Sequence, residues 1–348
     1  MNLISTYLYK NCTRTFIAVL VVLLFILLAN TGLRLIEDVN EGDIPSFFLI
    51  ELLALKLLQY SPIIIPLSLF FGIIISLNRL YVSNEMIIMK LNGFSNYELA
   101  NILSKLILSI TLVMIVLKFI LSPLAVEYRS KIEHQITHEQ KIYSLKEGSF
   151  NISNDKSKVV YINNKKRSEP ANIFIKSSSN STTRIDISSG VTSKGNNSNL
   201  ISLDDGVSYV FNPDGSFSST KYVTQDMILV DKIPQYSNSD IEAMSLVELF
   251  DLDGASANRE IFKRVSIIIS SLILGYLAIP LSNYAKRNDK YRNIFIGIII
   301  YFSYIILINL IAASTSDVID LTLSAFLLHS AYIYLMLLFY KNTHRAII

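Results

Sequence analysis

Six runs of about twenty apolar residues each restrict what this chain can fold into more than any other feature. They cover 16–36, 55–77, 102–122, 262–282, 294–313 and 321–340. A helix needs about 20 consecutive apolar residues to cross roughly 30 Å of hydrocarbon. Because only helices and closed barrels satisfy their backbone hydrogen bonds in lipid, the sequence predicts an α-helical membrane protein with six transmembrane helices.

The first run is not expected to be a cleaved signal peptide. It is too long, it lacks an Ala-x-Ala-like cleavage site, and it leads into RLIEDVNEGD. The composition agrees with a membrane protein, since 51% of the 348 residues are hydrophobic and the mean hydropathy is +0.43. The net charge of only +3 gives no indication of a nucleic-acid partner.

Lysine and arginine are distributed unequally between the two sides of the predicted membrane. The two termini and the loops 78–101 and 283–293 contain Lys10, Arg14, Arg79, Lys90, Lys286, Arg287, Lys290, Arg292, Lys341 and Arg345. The opposite short loops contain Arg34 alone, against Glu37, Asp38, Glu41, Asp43, Asp317 and Asp320. Short loops rich in Lys and Arg stay in the cytoplasm, so both termini are predicted to be cytoplasmic and the polar middle of the chain to lie outside.

The polar middle predicts an all-β domain inserted between the third and fourth spans. Seven short segments rich in β-branched and aromatic residues are separated by Asn, Ser, Gly and Asp clusters such as NPDG: KVVYI, ANIFIK, TRIDIS, NLISL, VSYVF, TKYV and MILV. This spacing is typical of an antiparallel sandwich or jelly roll. The predicted division is 1–122 for spans one to three, 123–260 for the β domain with helical connectors, and 261–348 for spans four to six.

The sequence offers no catalytic or cofactor-binding constellation. It has no G-x-x-x-x-G-K-[ST], no H-E-x-x-H and no G-x-S-x-G, so the chain is predicted not to be an enzyme and to bind no cofactor. His134 and His138 are four residues apart and could begin a zinc site, although a solvated helical connector explains them as well. His329 lies within the last span, where packing is the simpler explanation and a functional role the alternative.

Several motifs together resemble a known family. In chain order they are EGDIP after span one, then IIIPLSLFFGIIISLNRLYVSNEMIIMKLNGFS, then EGSFN at 147–151, then AIPLSNYAKRNDKYRNIFIGIIIYF. The chain resembles the lipopolysaccharide-export permeases LptF and LptG (the YjgP/YjgQ family) over essentially its whole length. The GDIP turn and SNEMIIMKLNG are more similar to the F-type subunit.

The resemblance implies a function, partners and a location. The chain would be one permease subunit of an ABC-type exporter in the inner membrane of a Gram-negative bacterium, with its β-jellyroll domain in the periplasm. It would pair with an LptG-like paralogue on an LptB-like cytoplasmic ATPase dimer. Together they would extract lipopolysaccharide and pass it to LptC-like and LptA-like proteins that lead toward the outer membrane.

The segment of residues 83–93 is predicted to be a short cytoplasmic helix. Ser83 could cap its N-terminus and Gly93 could end it, which would place Ile87, Ile88 and Leu91 on one face. In this family the segment resembles the coupling helix that docks on the ATPase, with Glu85 as the charged contact and Ile87, Met89 and Leu91 as apolar anchors. The alternative is an amphipathic helix lying on the membrane surface.

Basic residues at the outer ends of the spans are candidates for binding lipid phosphates. Arg34 ends span one, and Arg259, Lys263 and Arg264 precede span four, all against the positive-inside trend. Arg34, Lys263 and Arg264 are the predicted substrate contacts. Ordinary pairing with nearby carboxylates or lipid phosphates is the alternative. Where the F-type pattern often has a further basic residue, this chain has Thr31. The apolar wall of a substrate cavity is predicted to include Phe25, Leu28, Phe70 and Phe302.

A function of a different class also fits the predicted architecture. A membrane-anchored sensor or assembly protein could bind a ligand through the outside β domain, with the six spans serving only as a relay or an anchor. An enzyme acting on lipid is a weaker alternative because the sequence has no candidate catalytic residues.

Overall fold

The structure is a computed structural model that describes most of the chain in two compact units. The described residues are 3–41, 44–138, 150–152, 158–163, 172–179, 182–193, 200–228, 240–252, 254–283, 292–315 and 317–345. The first unit comprises residues 1–31, 54–129 and 238–348, and the second comprises residues 32–53 and 130–237. Each unit is considered by itself below.

Long helices dominate the chain on both sides of the β domain. They are α1 (Leu3–Glu41), α2 (Leu49–Val82), the short α3 (Glu85–Leu91), α4 (Asn96–Val116), α5 (Ser122–His138), the short α6 (Leu246–Asp251), α7 (Ala255–Ser282), α8 (Arg292–Ser314) and α9 (Val318–Arg345). Among the described residues, six helical segments are long and apolar enough to cross a membrane. The six predicted spans are therefore confirmed, although several helices extend well beyond the apolar runs.

The third span contains an irregular turn. α4 passes into α5 through a π-helical turn, Leu117–Leu121, so that one helical segment runs from residue 96 to residue 136. A π-turn inside an α-helix carries one extra residue and is frequent at functional sites. Here it contains Lys118, a charged residue inside an otherwise apolar segment.

α7 is the central helix of the first unit. It packs against α4, α8 and α9, and Leu274, Leu277 and Ala278 on it are fully buried. Tyr304 of α8 and Leu103 of α4 are buried in the same cluster. Since lipid supplies no hydrophobic driving force between helices, close van der Waals packing of this kind has to hold a membrane bundle together.

Glycines allow the helices of the first unit to approach closely. A Cβ at Gly72 of α2 would lie 2.6 Å from the Cα of Phe16 in α1. One at Gly275 of α7 would lie 2.9 Å from Cγ2 of Ile107 in α4. The approach at Gly72 is to backbone rather than to a movable side chain, so this crossing of α1 and α2 requires glycine.

The inserted domain contains an antiparallel sheet in the second unit. Its described strands are β1 (Phe150–Ile152), β2 (Lys158–Asn163), β3 (Asn172–Ser179), β4 (Thr182–Ser193), β5 (Leu200–Phe211) and β6 (Phe217–Ile228). They pair in consecutive order, β1-β2-β3-β4-β5-β6, and each neighbouring pair is antiparallel. The predicted fold class, six apolar spans with an inserted all-β domain, is confirmed.

In the described residues, the seven predicted segments fall on five longer strands, β2 to β6. NLISL and VSYVF form one strand, β5, because the intervening DDG continues the ladder with Asp205 at a φ of 48°. TKYV and the first residues of MILV likewise form β6. The NPDG cluster does form a turn, in which Gly215 has a φ of 83° and Asn212 N–H donates to Ser216 O. Of the two clusters that contain Asp and Gly, NPDG therefore forms a turn, whereas DDG lies inside a strand.

Replacing Gly72 tests the close crossing of α1 and α2. Gly72→Ala should destabilise the protein by about 1–3 kcal/mol, the usual effect of overpacking. The single cysteine, Cys12, is fully buried, so a thiol-reactive fluorogenic dye reports unfolding in detergent.

Gly32→Ala is the matched control, because a Cβ at Gly32 has no atom within 4 Å. This variant should melt at or slightly above the wild-type temperature, since alanine favours a helix over glycine. Equal melting temperatures for Gly72→Ala and the wild type would contradict the predicted contact.

Candidate functional site

The short helix α3 between the second and third spans is one candidate interaction site. It begins at Glu85, after Asn84 at a left-handed φ of 64° and without a side-chain cap. The prediction that Ser83 caps this helix is therefore wrong. The helix ends as predicted: Gly93 has a φ of 89°, Gly93 N–H donates to Lys90 O and Phe94 N–H donates to Met89 O, which is the Schellman arrangement.

One side of α3 packs against the other helices of the first unit. Met86 is fully buried in the helix core, and Met89 is partly buried against the same core. The Tyr7 hydroxyl of α1 donates to Oε2 of Glu85 over 2.7 Å, and the Ser83 hydroxyl donates to Oε1 over 2.9 Å. These two donors lower the pKa of Glu85, with Tyr7 contributing most, so this carboxylate stays ionised at neutral pH.

The opposite side of α3 is an exposed apolar face. Ile87, Ile88 and Leu91 have 47%, 58% and 83% of their surface exposed. Of the three predicted apolar anchors, Ile87 and Leu91 therefore lie on this face, whereas Met89 packs inward. Isolated helices shorter than about 12 residues are marginal in water, so the buried Met86 and the Tyr7–Glu85 bond are what hold the face in place.

Arg34, one of the predicted phosphate-binding residues, lies near the end of α1. Its side chain is exposed, as is that of its neighbour Leu33. It belongs to the second compact unit, whereas Lys263 and Arg264 belong to the first. The side chain of Lys263 is partly exposed on the first turns of α7.

Arg264, in contrast, is fully buried and bonded to its own chain. Its Nε donates to Oε1 of Glu260 over 2.8 Å, one helical turn earlier. Its Nη1 donates to Met244 O over 2.9 Å, and its Nη2 donates to Glu242 O and Ile241 O over 3.0 and 3.3 Å. The guanidinium thus holds the 240s segment against α7, and contact of Arg264 with substrate stays a prediction.

A second cation lies beside the same carboxylate. Nζ of Lys118, in the π-helical turn, is 3.9 Å from Oε1 of Glu260. The side chains of Lys118 and Glu260 are only 18% and 6% exposed. The Glu260 carboxylate therefore lies between two basic side chains, Lys118 and Arg264, in a largely buried cluster.

Sequence reasoning missed Glu260 altogether. Its spacing of four residues from Arg264 is that of a helical ion pair, and this signal was available. Lys118 approaches Glu260 from the π-helical turn, and no local sequence pattern predicted that turn.

The four residues predicted to form an apolar wall differ in their surroundings. Phe25, Leu28 and Phe302 are 66%, 39% and 52% exposed, so they are available to lipid or to a partner. Phe70 is fully buried and lies against Gly297 of α8, where an added Cβ would be 3.3 Å from its ring. Phe70 therefore packs the helix bundle in this structure.

The histidines show different environments. Nδ1 of His329 is 2.7 Å from the Tyr304 hydroxyl, and the Tyr304 ring stacks on Tyr332 at 3.9 Å, so His329 belongs to an aromatic cluster of α8 and α9. His134 lies on α5, and the side chain of His138 is outside the described residues. In the described part of the chain, no group of three or more potential ligands could hold a metal ion.

Comparison with known proteins agrees with this arrangement. The family described as lipopolysaccharide export system permease LptF/LptG matches residues 6–342. The chain belongs to this family. The permease protein LptF of Escherichia coli strain K12 is 21% identical to it over 315 residues, which is 88% of this chain and 85% of the relative. LptF of E. coli O157:H7 and LptF of Shigella flexneri match with the same values.

The family predicted from the sequence motifs is therefore confirmed, and so is the similarity to the F-type protein. The chain is a multi-pass membrane permease of the lipopolysaccharide export system. Permeases of this family are not enzymes, in agreement with the prediction from the sequence.

Removing the charge of Glu260 tests the buried cluster. Glu260→Gln should destabilise the permease by about 3–5 kcal/mol, because it leaves Arg264 and Lys118 buried without a counter-charge. Dye labelling of Cys12 during heating measures the effect.

Glu51→Gln serves as the control, since Glu51 is exposed on α2 and surface substitutions usually change stability by less than about 0.5 kcal/mol. If Glu260→Gln and this control had the same melting temperature, the cluster would not be a stabilising element.

Proposed function

We propose that this permease is the F-type subunit of an ABC-type exporter that extracts lipopolysaccharide from the bacterial inner membrane. The observation that carries the proposal is the family match, which covers all six spans and the β domain. In the proposed organisation, residues 1–122 and 261–348 form the membrane part, and residues 123–260 form the domain that receives the lipid.

The distribution of charge supports one orientation in the inner membrane. Ten Lys and Arg residues occupy the termini and the short loops of one side, including Arg79 and Lys90 around α3. Both termini and α3 would therefore be cytoplasmic, and the β domain would be periplasmic.

The exposed face of α3 supports docking on a cytoplasmic ATPase. This face, formed by Ile87, Ile88 and Leu91, is not needed for internal packing. The opposite side of the helix is fixed by the buried Met86 and by the Tyr7–Glu85 hydrogen bond. A face that is apolar, exposed and rigidly held suits a groove on a partner. The partner would be an LptB-like ATPase dimer, shared with an LptG-like second permease.

The outer ends of the spans support a site for lipid A, which combines phosphates with acyl chains. Arg34 is exposed near the end of α1, and Lys263 is partly exposed on α7, next in sequence to the buried Arg264. Charge-assisted hydrogen bonds from such groups suit phosphate. Phe25, Leu28 and Phe302, exposed on apolar helices, would contact acyl chains, while Phe70 and Arg264 would hold the helices in position.

The edges of the sheet support transfer to a further β protein. Among the described residues, β1 and β6 each pair on one side only, and an unpaired strand edge is a template for another strand. LptC-like and LptA-like β-jellyroll proteins would continue the path toward the outer membrane.

Substitution of Leu91 tests the docking of α3. Leu91→Asp should reduce co-purification of the ATPase about tenfold, because burying one leucine contributes roughly 1.5–3 kcal/mol. Val223→Asp is a matched control, since Val223 of the β domain is also 83% exposed. Undiminished co-purification with Leu91→Asp would favour the alternative, a helix lying on the membrane surface.

Charge reversal at Glu85 should also weaken association with the ATPase. Glu85 could act by touching the ATPase or by positioning α3. Tyr7→Phe separates these two causes, because it removes the hydrogen bond between Tyr7 and Glu85 and keeps the Glu85 carboxylate. If Tyr7→Phe weakened association as much as Glu85→Lys, Glu85 would act by positioning α3 and not by touching the partner.

Replacing Arg34 tests the substrate site. In the reconstituted complex, Arg34→Ala should lower the stimulation of ATP hydrolysis by lipopolysaccharide about tenfold or more, because a charge-assisted hydrogen bond contributes about 1.5–3 kcal/mol. Arg34→Lys should retain part of the response. An unaltered dependence on lipopolysaccharide in Arg34→Ala would remove Arg34 from the site.

A further inference from the structure

A separate groove lies between α7 and α9, under the short helix α6. Its volume is about 300 Å³. None of the residues predicted above to contact lipopolysaccharide or the ATPase lines it. It lies entirely within the first compact unit.

Both walls of the groove are continuous helix faces. On α7 the lining residues recur every three or four positions: Asn258, Ile261, Phe262, Val265, Ser266 and Ile269. On α9 the same spacing gives Val318, Leu321, Thr322, Ala325 and His329. The lining is mainly apolar, with Asn258, Ser266, Thr322 and His329 as its polar members. The hydroxyl of Thr322 donates to Ile319 O in its own helix. Hydrocarbon fits the apolar part, which is the greater part of the lining.

The length of the groove matches one leaflet of a bilayer. Asn258 and Ile269 are eleven residues apart, as are Val318 and His329. At 1.5 Å per residue each wall is therefore about 16 Å long, and half of a hydrocarbon core of about 30 Å is about 15 Å. His329, held by the Tyr304 hydroxyl, marks the deep end.

The short helix α6 covers the shallow end of the groove. It has the features of an interfacial helix. Ser245 and Glu248 form a capping box at its start, and this hydrogen bonding lowers the pKa of Glu248 and keeps it charged. Leu249 and Phe250 both line the groove; Leu249 is buried, whereas Phe250 is 69% exposed and the neighbouring Val247 is 70% exposed. Apolar side chains exposed beside charged ones suit the boundary between headgroups and acyl chains.

A cation lies at the shallow end as well. Arg259 follows the lining residue Asn258 on the first turn of α7, and its Nε donates to Thr315 O in the turn between α8 and α9. At headgroup depth such a guanidinium favours a lipid phosphate. The groove is therefore a mainly apolar channel about one leaflet long, and a guanidinium lies beside its shallow end on α7.

We propose that this groove binds one acyl chain of a phospholipid, taken from the leaflet on the side where α7 begins. The phosphate lies near Arg259 and the chain runs between α7 and α9 toward His329. This site is distinct from the proposed lipopolysaccharide path and does not depend on it.

Photo-crosslinking tests the site directly. The full-length permease, with the subunits that co-purify with it, is placed in nanodiscs of phosphatidylethanolamine and phosphatidylglycerol that lack lipopolysaccharide. A phosphatidylethanolamine with a diazirine at mid-chain is the probe. Mass spectrometry should find adducts concentrated on the groove faces of α7 and α9.

Filling the groove should remove these adducts. Ala325→Phe should lower the adduct yield on α7 about tenfold, because the new ring occupies space that buried methylenes would fill. Ala331→Phe, at an exposed position on the same helix, should leave the yield unchanged. Thr322→Phe, also at an exposed position, gives a second filling variant if Ala325→Phe does not fold.

Three outcomes would overturn the proposal. Adducts spread evenly over all exposed faces would indicate annular lipid only. Displacement of the probe by equimolar lipopolysaccharide would assign the groove to lipopolysaccharide and not to phospholipid. Crosslinks from groove residues to a co-purified protein would show that a partner helix occupies it.

Discussion

Close packing of helices in a lipid environment is the constraint on which the rest of this structure depends. Hydrocarbon cannot satisfy backbone groups, so the chain crosses it as helices, and it cannot drive those helices together, so contact has to come from fit. Gly72 against the backbone of Phe16 and Gly275 against Ile107 provide that fit. Because these crossings are tight, elements attached to the helices, such as α3, are held in defined positions.

The same bundle holds one buried guanidinium that is bonded by a carboxylate and by carbonyl groups. Arg264 is buried, yet Glu260 and three carbonyl oxygens bind it. This cluster ties the segment that leaves the β domain to the start of α7. A change in the 240s segment would therefore act on α7, and through α7 on the helices packed against it.

The sequence predicted the features that rest on long or strongly periodic patterns. Six apolar runs gave six spans, and Gly93 correctly marked the end of α3 because only a left-handed residue completes that turn. It failed where a tertiary contact decided the outcome. Ser83 was predicted to cap α3, but its hydroxyl bonds to the side chain of Glu85 instead.

The predicted site residues fall into an exposed group and a buried group. Ile87 and Leu91 are exposed as a docking face requires, because their positions follow from helical spacing. Phe70 and Arg264 are buried, because the approach of other elements decides their surroundings. The groove between α7 and α9 could not be predicted, since it depends on how two helices distant in sequence lie side by side.

The most direct test of the proposed transport role is photo-crosslinking from a probe at Leu33, which is 69% exposed beside Arg34, in energised membranes. We expect an adduct that antibodies recognise as lipopolysaccharide and that depends on ATP. Absence of this adduct, while a probe on the β domain does capture lipopolysaccharide, would contradict entry of the substrate at the end of α1. Absence of an adduct from both positions would contradict the transport role itself.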